Sequence, residues 1–148
     1  NDAGVAAVVN QQFDIGVQIL DAGLVPIIEP EVDIHSATKA EIEESLRDKL
    51  VASLDSVPEG KQVVFKLSLP SQANFYAPLI DHPKVMRVVA LSGGYSRDEA
   101  CTMLAANHGM IASFSRALSE GLTAQMSEEE FTATLDAAIA EIYAASIT

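Results

Sequence analysis

The sequence predicts an α/β fold in which four strands alternate with helices. Short apolar runs of strand length recur along the chain, and between them apolar residues return at helical spacing. Regular alternation of this kind is typical of βα units built around a parallel sheet. With 148 residues, of which 49% are hydrophobic, the chain has enough length and apolar side chains for one packed domain.

The individual elements can be assigned from caps, apolar runs and turn residues. Asn1 and Asp2 stand where they could cap a first helix, and three Ser or Thr residues precede a Glu by three positions, the spacing of a capping box. These pairs are Thr38 with Glu41, Ser96 with Glu99, and Ser127 with Glu130. The predicted elements are a helix over 4–22, a strand over 24–28, a helix from Thr38 that ends before 58–60, a strand over 63–69, a short helix over 73–80, a strand over 85–91, a helix from Ser96, a strand over 110–114, a helix over 116–122 and a helix from Ser127.

This order of elements fits one half of a (β/α)₈ barrel. Such a barrel has about 250 residues in full and carries polar groups at the carboxyl ends of its strands, as this chain does. The uninterrupted apolar run over 24–28 further predicts a strand that is buried on both faces. A flavodoxin-like open sheet uses the same alternation and is complete near this length, so it stays open as the alternative.

The composition disfavours several classes of partner. The chain has 21 acidic and 9 basic residues and a net charge of −12, which speaks against nucleic acid and against an anionic membrane surface. Its apolar runs are too short for a transmembrane helix, and its first residues lack the pattern of a signal peptide. We therefore expect a soluble, cytoplasmic protein. Its one cysteine, Cys101, cannot form an internal disulfide and falls in a predicted helix.

Lys66 is the sharpest candidate for chemistry. It lies inside an otherwise apolar strand and shares one strand face with Val64 and Ser68. On the inner face of a barrel an ammonium loses hydration, its pKa falls, and the amine becomes a nucleophile that can attack a carbonyl. The alternative is a lysine at a strand end whose charged head reaches solvent.

A pair of carboxylates, Glu29 and Glu31, follows the first strand. Residues two apart on an extended segment point to the same side, so the two groups could divide acid and base roles. A solvated loop start is the simpler interpretation. If the segment stayed extended, Asp33 and His35 would join the same side and suggest a metal site, although His82 and His108 fall in loops and add no second cluster.

Two further segments suggest a phosphate site. Ser92, Gly93 and Gly94 follow the third strand, where glycines let backbone N–H groups approach phosphate oxygens. Ser115 and Arg116 follow the fourth strand and offer a hydroxyl and a guanidinium. In barrel enzymes the last two strands commonly hold phosphate. A two-glycine segment can also be a simple turn.

Four segments, taken together and in order, resemble the bacterial form of class I fructose-bisphosphate aldolase. They are residues 23–31 (GLVPIIEPE), 65–70 (FKLSLP), 91–96 (LSGGYS) and 111–118 (IASFSRAL). The resemblance runs over essentially the whole chain, through residues 141–146 (EIYAAS) near its end. It implies the C-terminal half of a TIM barrel, strands 5–8 with their helices, as a partial domain over 1–148 without the N-terminal half.

The resemblance also implies a reaction and a set of roles. Lys66 would form a Schiff base with the substrate ketone in the reversible cleavage of fructose 1,6-bisphosphate, a step of glycolysis and gluconeogenesis. Glu29 would act as general acid and base with Glu31 as its close partner. Ser92, Gly93 and Arg116 match the family's phosphate site, to which the residue pattern adds Gly94 and Ser115. No metal and no cofactor would be required.

The implied absence of four strands limits what this chain is expected to do alone. We expect weak or no activity by itself, and association with the missing N-terminal half-barrel or with a second copy, because open strand edges and an inner side-chain layer would otherwise face water. The alternatives are another Schiff-base aldolase, or a non-catalytic phosphate-binding or interaction module derived from an aldolase.

Overall fold

Four parallel strands, joined in the order in which they occur along the chain, form a single sheet. The computed structural model describes residues 1–148, and each strand is hydrogen-bonded to the next in the order β1-β2-β3-β4. The strands are β1 (Ile27–Ile28), β2 (Val63–Ser68), β3 (Val85–Leu91) and β4 (Met110–Ala112). The helices are α1 (Asp2–Asp21), α2 (Lys39–Ser53), α3 (Ala77–Ile80), α4 (Arg97–Ala105), α5 (Arg116–Ser119) and α6 (Glu128–Ser146), with a 3₁₀ turn at Leu54–Ser56 after α2. The α/β class with a parallel sheet is confirmed.

The strand order decides between the two architectures that the sequence left open. In a flavodoxin-like sheet the first strand lies between the second and the third. Here β1 lies at the sheet edge and pairs only with β2, with Ile27 opposite Val64 and Ile28 opposite Phe65. The flavodoxin-like alternative is therefore wrong, and the sequential order is compatible with half of a barrel.

Only one face of the sheet is covered by helices. Phe65, Val88 and Met110 belong to one hydrophobic core that also contains residues from all six helices. The other face is partly exposed, at Val64, Lys66, Val89 and Ile111. Because successive residues of a strand alternate between faces, the side chain of Lys66 lies on the open face.

The first strand differs most from its prediction. It covers two residues instead of five, and it is not buried on both faces. Leu24, Val25 and Ile27 are exposed, whereas Pro26 and Ile28 are buried. The continuous apolar run was typical of a strand covered on both sides, whereas β1 is an edge strand with an uncovered face. Contacts within this chain therefore leave several apolar side chains of this run exposed.

Smaller differences concern the ends of other elements. The fourth strand ends at Ala112 instead of residue 114, although the N–H of Ser113 still donates to the carbonyl of Ala90 at 2.8 Å. The helices predicted over 73–80 and 116–122 are single turns, α3 and α5. The turn α3 lies in the connection between β2 and β3, and α5 lies in the connection between β4 and α6.

Three of the four predicted helix caps are present. The Asn1 side chain accepts from the N–H of Gly4, and both the Ser96 and the Ser127 capping boxes are formed. The third box is wrong: α2 begins after Thr38 as predicted, but the Thr38 side chain makes no capping hydrogen bond. Its hydroxyl instead lies 3.4 Å from that of Ser36, in the preceding turn. None of the helices combines the length and hydrophobicity that a membrane span requires.

Candidate active site

The predicted site residues follow or lie within all four strands, toward the carboxyl ends of those strands. Carboxyl ends of parallel strands meet at a common edge, so residues distant in sequence come together there. Glu29 and Glu31 follow β1, Lys66 lies within β2, Ser92, Gly93 and Gly94 follow β3, and Ser115 and Arg116 follow β4. The structure divides these residues into two groups in contact.

The first group is an ion pair between Lys66 and Glu29. The Nζ of Lys66 lies 2.7 Å from Oε1 of Glu29. The β1–β2 register explains this contact, because continuing it one residue beyond the Ile28 and Phe65 pair sets Glu29 beside Lys66. Two residues that are 37 positions apart in sequence are thus cross-strand neighbours on the open face.

The surroundings of Lys66 differ from the dry layer that the sequence suggested. The lysine side chain is 24% exposed and that of Glu29 is 44% exposed, because no element covers this face of the sheet. The charge of the ammonium is therefore stabilised by the Glu29 carboxylate and by solvent, and apolar side chains surround the ammonium only in part.

The segment that carries the two glutamates is held by residues that the sequence analysis did not assign to the site. The backbone N–H of Glu29 donates to Oε1 of Gln12 on α1 at 2.7 Å. Ser68, two residues after Lys66, accepts from the N–H of Val32 and donates to its carbonyl, both at 2.9 Å. A serine in an apolar strand on the face of Lys66 was a usable signal for the second contact, whereas Gln12 on a helix surface gave none.

The segment from Glu29 to His35 alternates in burial as an extended chain does. Glu29, Glu31, Asp33 and His35 are exposed, while Pro30 and Val32 between them are buried. The structure contains no group of three or more His, Cys, Asp or Glu side chains arranged to hold a metal ion. Of the other two histidines, His108 is exposed, and His82 is half-buried and accepts from the N–H of Lys84 through Nδ1.

The turn after β3 requires both of its glycines. Gly93 and Gly94 have φ values of +64° and +109°, in the region that side chains rarely adopt, and the N–H of Tyr95 donates to the carbonyl of Ser92 at 3.0 Å. A Cβ added to Gly93 would lie only 2.9 Å from Cγ2 of Ile34. The turn therefore packs closely against the segment that carries the glutamates.

Arg116 links this turn to the glutamates and forms the second group. A Cβ at Gly94 would lie 3.7 Å from its Nη1, and its Nη2 lies 4.0 Å from Oε1 of Glu31. Both charged side chains are more than half exposed, so this contact is weak and open to exchange. Ser115 directly precedes Arg116, and its side chain makes no capping hydrogen bond to α5.

Comparison with known proteins gives this geometry a context. The chain is 56% identical over 148 residues to a class 1 fructose-bisphosphate aldolase of Synechocystis sp., 53% identical over 147 residues to that of Porphyromonas gingivalis, and 51% identical over 148 residues to that of Clostridium acetobutylicum. These matches cover 99–100% of the chain and 49–50% of the relatives.

The chain thus spans about half the length of the curated relatives it matches. No family model matches it. Identities of 51–56% over essentially the whole chain are far higher than a shared fold alone would require. The resemblance seen in the four sequence segments is confirmed, and the chain is a relative of the class 1 fructose-bisphosphate aldolases, corresponding to about half of such an enzyme.

Proposed function

We propose that the chain supplies the Schiff-base lysine and one phosphate site of a class I fructose-bisphosphate aldolase. The complete enzyme would reversibly cleave fructose 1,6-bisphosphate to dihydroxyacetone phosphate and glyceraldehyde 3-phosphate. The observation that carries this proposal is the 2.7 Å contact between Lys66 and Glu29 at the strand ends of a chain so similar to aldolases. An amine beside a carboxylate is the pair of groups that imine formation requires.

In this mechanism Glu29 carries protons for Lys66. Attack of Nζ on the ketone carbon requires that the ammonium first lose a proton, and the Glu29 carboxylate is close enough to accept it. The same group then returns a proton to the carbinolamine hydroxyl, which leaves as water and gives the protonated imine. The ionised Glu29 carboxylate then accepts the proton of the hydroxyl on the fourth carbon of the ketose. The bond between the third and fourth carbons breaks, glyceraldehyde 3-phosphate leaves, and the electron pair of that bond moves into the imine and forms an enamine. Protonation of the enamine and hydrolysis of the imine release dihydroxyacetone phosphate and restore Lys66.

Arg116 and the glycine turn are assigned to the phosphate. A phosphate placed beside Gly94 would accept from backbone N–H groups of the turn and from the Arg116 guanidinium. We assign Ser92 and Ser115, which precede the turn and Arg116, as further donors to this phosphate. Glu31 holds Arg116 only at 4.0 Å, so a dianion can replace that contact without breaking a close ion pair. Glu31, released from Arg116, would then serve as the partner of Glu29, which precedes it by two residues.

The fold proposed for the complete protein is a (β/α)₈ barrel to which this chain contributes strands 5–8. Exposed apolar side chains lie at both outer strands of the sheet. They are Ile27 of β1 with Ile15 of α1, and Ile139 and Tyr143 of α6 next to β4. Those edges and the open face are the surfaces that four further βα units would cover. The partner is therefore the remaining half-barrel or, failing that, a second copy of this chain.

Covalent trapping tests the proposal directly. The chain is incubated with dihydroxyacetone phosphate and sodium borohydride, alone and with the complementary half of a class 1 aldolase, and its intact mass is measured. We expect one reduced adduct, located on Lys66 by peptide mapping and missing in Lys66→Ala. An adduct that forms only with the complementary half shows that the lysine needs the closed barrel. No adduct under either condition would favour a non-catalytic phosphate-binding module.

A further inference from the structure

The only two buried charged residues of the chain contact each other and the end of the lysine-bearing strand. Lys39 and Glu43 lie four positions apart in the first turns of α2 and are 7% and 1% exposed. Every other charged side chain is at least partly exposed. No motif in the sequence marks either residue, so this pair was missed.

The partners of the pair all belong to residues 69–71, directly after β2. Besides its contact with Glu43, the Nζ of Lys39 donates to the carbonyl of Leu69 at 2.8 Å and to the hydroxyl of Ser71 at 3.1 Å. The second oxygen of Glu43 accepts from the N–H of Ser71 at 3.0 Å. Pro70 between them has no N–H to donate. The two side chains therefore satisfy the polar backbone atoms that β2 leaves unpaired where it ends.

Such a pair is poorly explained by stability alone. Removing two charges from water costs free energy that their attraction repays only in part, and apolar side chains of the same volume often serve stability as well. What an apolar pair cannot do is define the position of a particular carbonyl and a particular N–H. The geometry of Lys39 and Glu43 thus favours a role in positioning.

Residues 69–71 directly follow the strand that carries Lys66. Lys66 and Ser68 precede them on the same strand, so a displacement of the strand end would move the lysine and the Val32 contact together. Burial raises the pKa of Tyr95, the residue after Gly94, and the Glu43 and Glu99 charges raise that pKa further. The hydrogen bonds of the pair therefore act on the end of β2, the strand that carries Lys66.

We propose that Lys39 and Glu43 are positioning residues that fix the end of β2 and thereby hold Lys66 in register with Glu29 and the phosphate turn. This inference rests on the proposed function of Lys66. It assigns no contact with substrate to either residue, since both side chains are buried beneath the strand ends.

The test compares the double variant Lys39→Met/Glu43→Leu with the wild type. Removing both charges avoids an unpaired buried ion, which would unfold the protein and hide the effect. The control Lys49→Met removes a lysine from the same helix, whose Nζ contacts the exposed Asp2 at 2.7 Å. All three proteins are assayed with the complementary half of a class 1 aldolase, at a temperature where urea unfolding shows each to be fully folded.

We expect borohydride trapping of dihydroxyacetone phosphate to slow about tenfold or more in the double variant and to be unchanged in Lys49→Met. Amide hydrogen exchange at residues 66–71 should accelerate about tenfold in the double variant alone. Unchanged trapping together with unchanged exchange in a folded double variant would overturn the inference. Absence of trapping in the wild type would instead contradict the proposed function, and the exchange rates would still show whether the pair holds the strand end.

Discussion

An amine that attacks a carbonyl must first lose a proton, and the acceptor nearest to Lys66 is Glu29. The two groups are neighbours because their strands pair in parallel, so the contact is a property of the sheet register. Glu31, two residues later, contacts Arg116 instead. At the scale of single residues the two glutamates are therefore already separated, with one beside the lysine and one beside the expected phosphate site.

Replacing each glutamate in turn tests this separation. Glu29→Gln should slow trapping at Lys66 about 100-fold, because it removes the only carboxylate that contacts the amine and general acid–base catalysis typically contributes about 10²–10⁴. Glu31→Gln, the matched control, should change the rate less than about tenfold. The trapping rate with dihydroxyacetone phosphate is measured for both. Equal losses in the two variants would contradict the assignment of roles.

Ser68 provides a second test at the residue scale. Ser68→Ala removes both hydrogen bonds to the backbone of Val32 and leaves a buried N–H without its partner, so we expect a loss of about 1–3 kcal/mol in the free energy of unfolding. Ser56→Ala removes an exposed hydrogen bond to the carbonyl of Ser53 and should cost less than about 0.5 kcal/mol. Urea unfolding midpoints compare the two, and a Ser68→Ala protein as stable as Ser56→Ala would refute the role of Ser68 as a clamp.

At the scale of elements, the two capping boxes make the helix starts sensitive to acid. Hydrogen bonds from the backbone N–H and the hydroxyl of Ser127 lower the pKa of Glu130 below its ordinary value of 4.5. A carboxylate whose pKa is lower in the folded state stabilises above its unfolded pKa, and that stabilisation disappears as the pH falls through the folded value. The stabilisation from Glu130 is thus complete at neutral pH, and it decreases as the pH falls below 4.5 and through the lower pKa of the folded state.

Glu130→Gln should therefore destabilise the protein at pH 7 and have a smaller effect at a pH below the lowered pKa of Glu130, where the wild-type carboxyl is also neutral. Glu129→Gln removes the same charge from the same turn but leaves the box intact, and it should have the smaller effect at pH 7. Unfolding midpoints at the two pH values check this. If Glu130→Gln differed from the wild type equally at both, the box would not titrate as its geometry indicates.

The elements that the sequence predicted well are those whose signal is local. Two capping boxes, the Asn1 cap and the exact run of β3 depend on residues a few positions apart. The two-residue length of β1 and the failed box at Thr38 depend on which neighbour a segment meets, which local spacing does not contain. The same reason explains the site: Lys66 and Glu29 could be named from their strands, but Gln12, Lys39 and Glu43 act through contacts from helices that no motif marked.

At the scale of the whole molecule, the uncovered sheet face is the dominant feature. The apolar side chains that border it would be unusual for the finished surface of a monomer, where large contiguous apolar areas are rare. A net charge of −12 opposes contact between copies once they approach within about one screening length of each other. Association should therefore be driven by apolar area and limited by charge.

We expect the isolated chain to migrate in size exclusion as a species larger than 15.7 kDa. Raising NaCl from about 0.05 M to about 0.5 M should increase association, because it shortens the screening length and weakens the repulsion between copies. Ile27→Glu, on the open face, should weaken association, while Val51→Glu, on the outer side of α2, should not. A stable, non-associating monomer at all salt concentrations would contradict both the partner proposal and the half-barrel fold on which it rests.

The sequential order of the sheet also has a consequence for how the chain reaches its fold. Every strand pairs with the strand made just before it, so no pairing has to wait for a distant segment. Pairing between consecutive strands requires shorter loops to close than pairing between distant strands, and a ribosome releases the N-terminal units first. Each βα unit can thus dock on its predecessor while the next is still being synthesised, and the two outer edges are the last part of the sheet to find a partner.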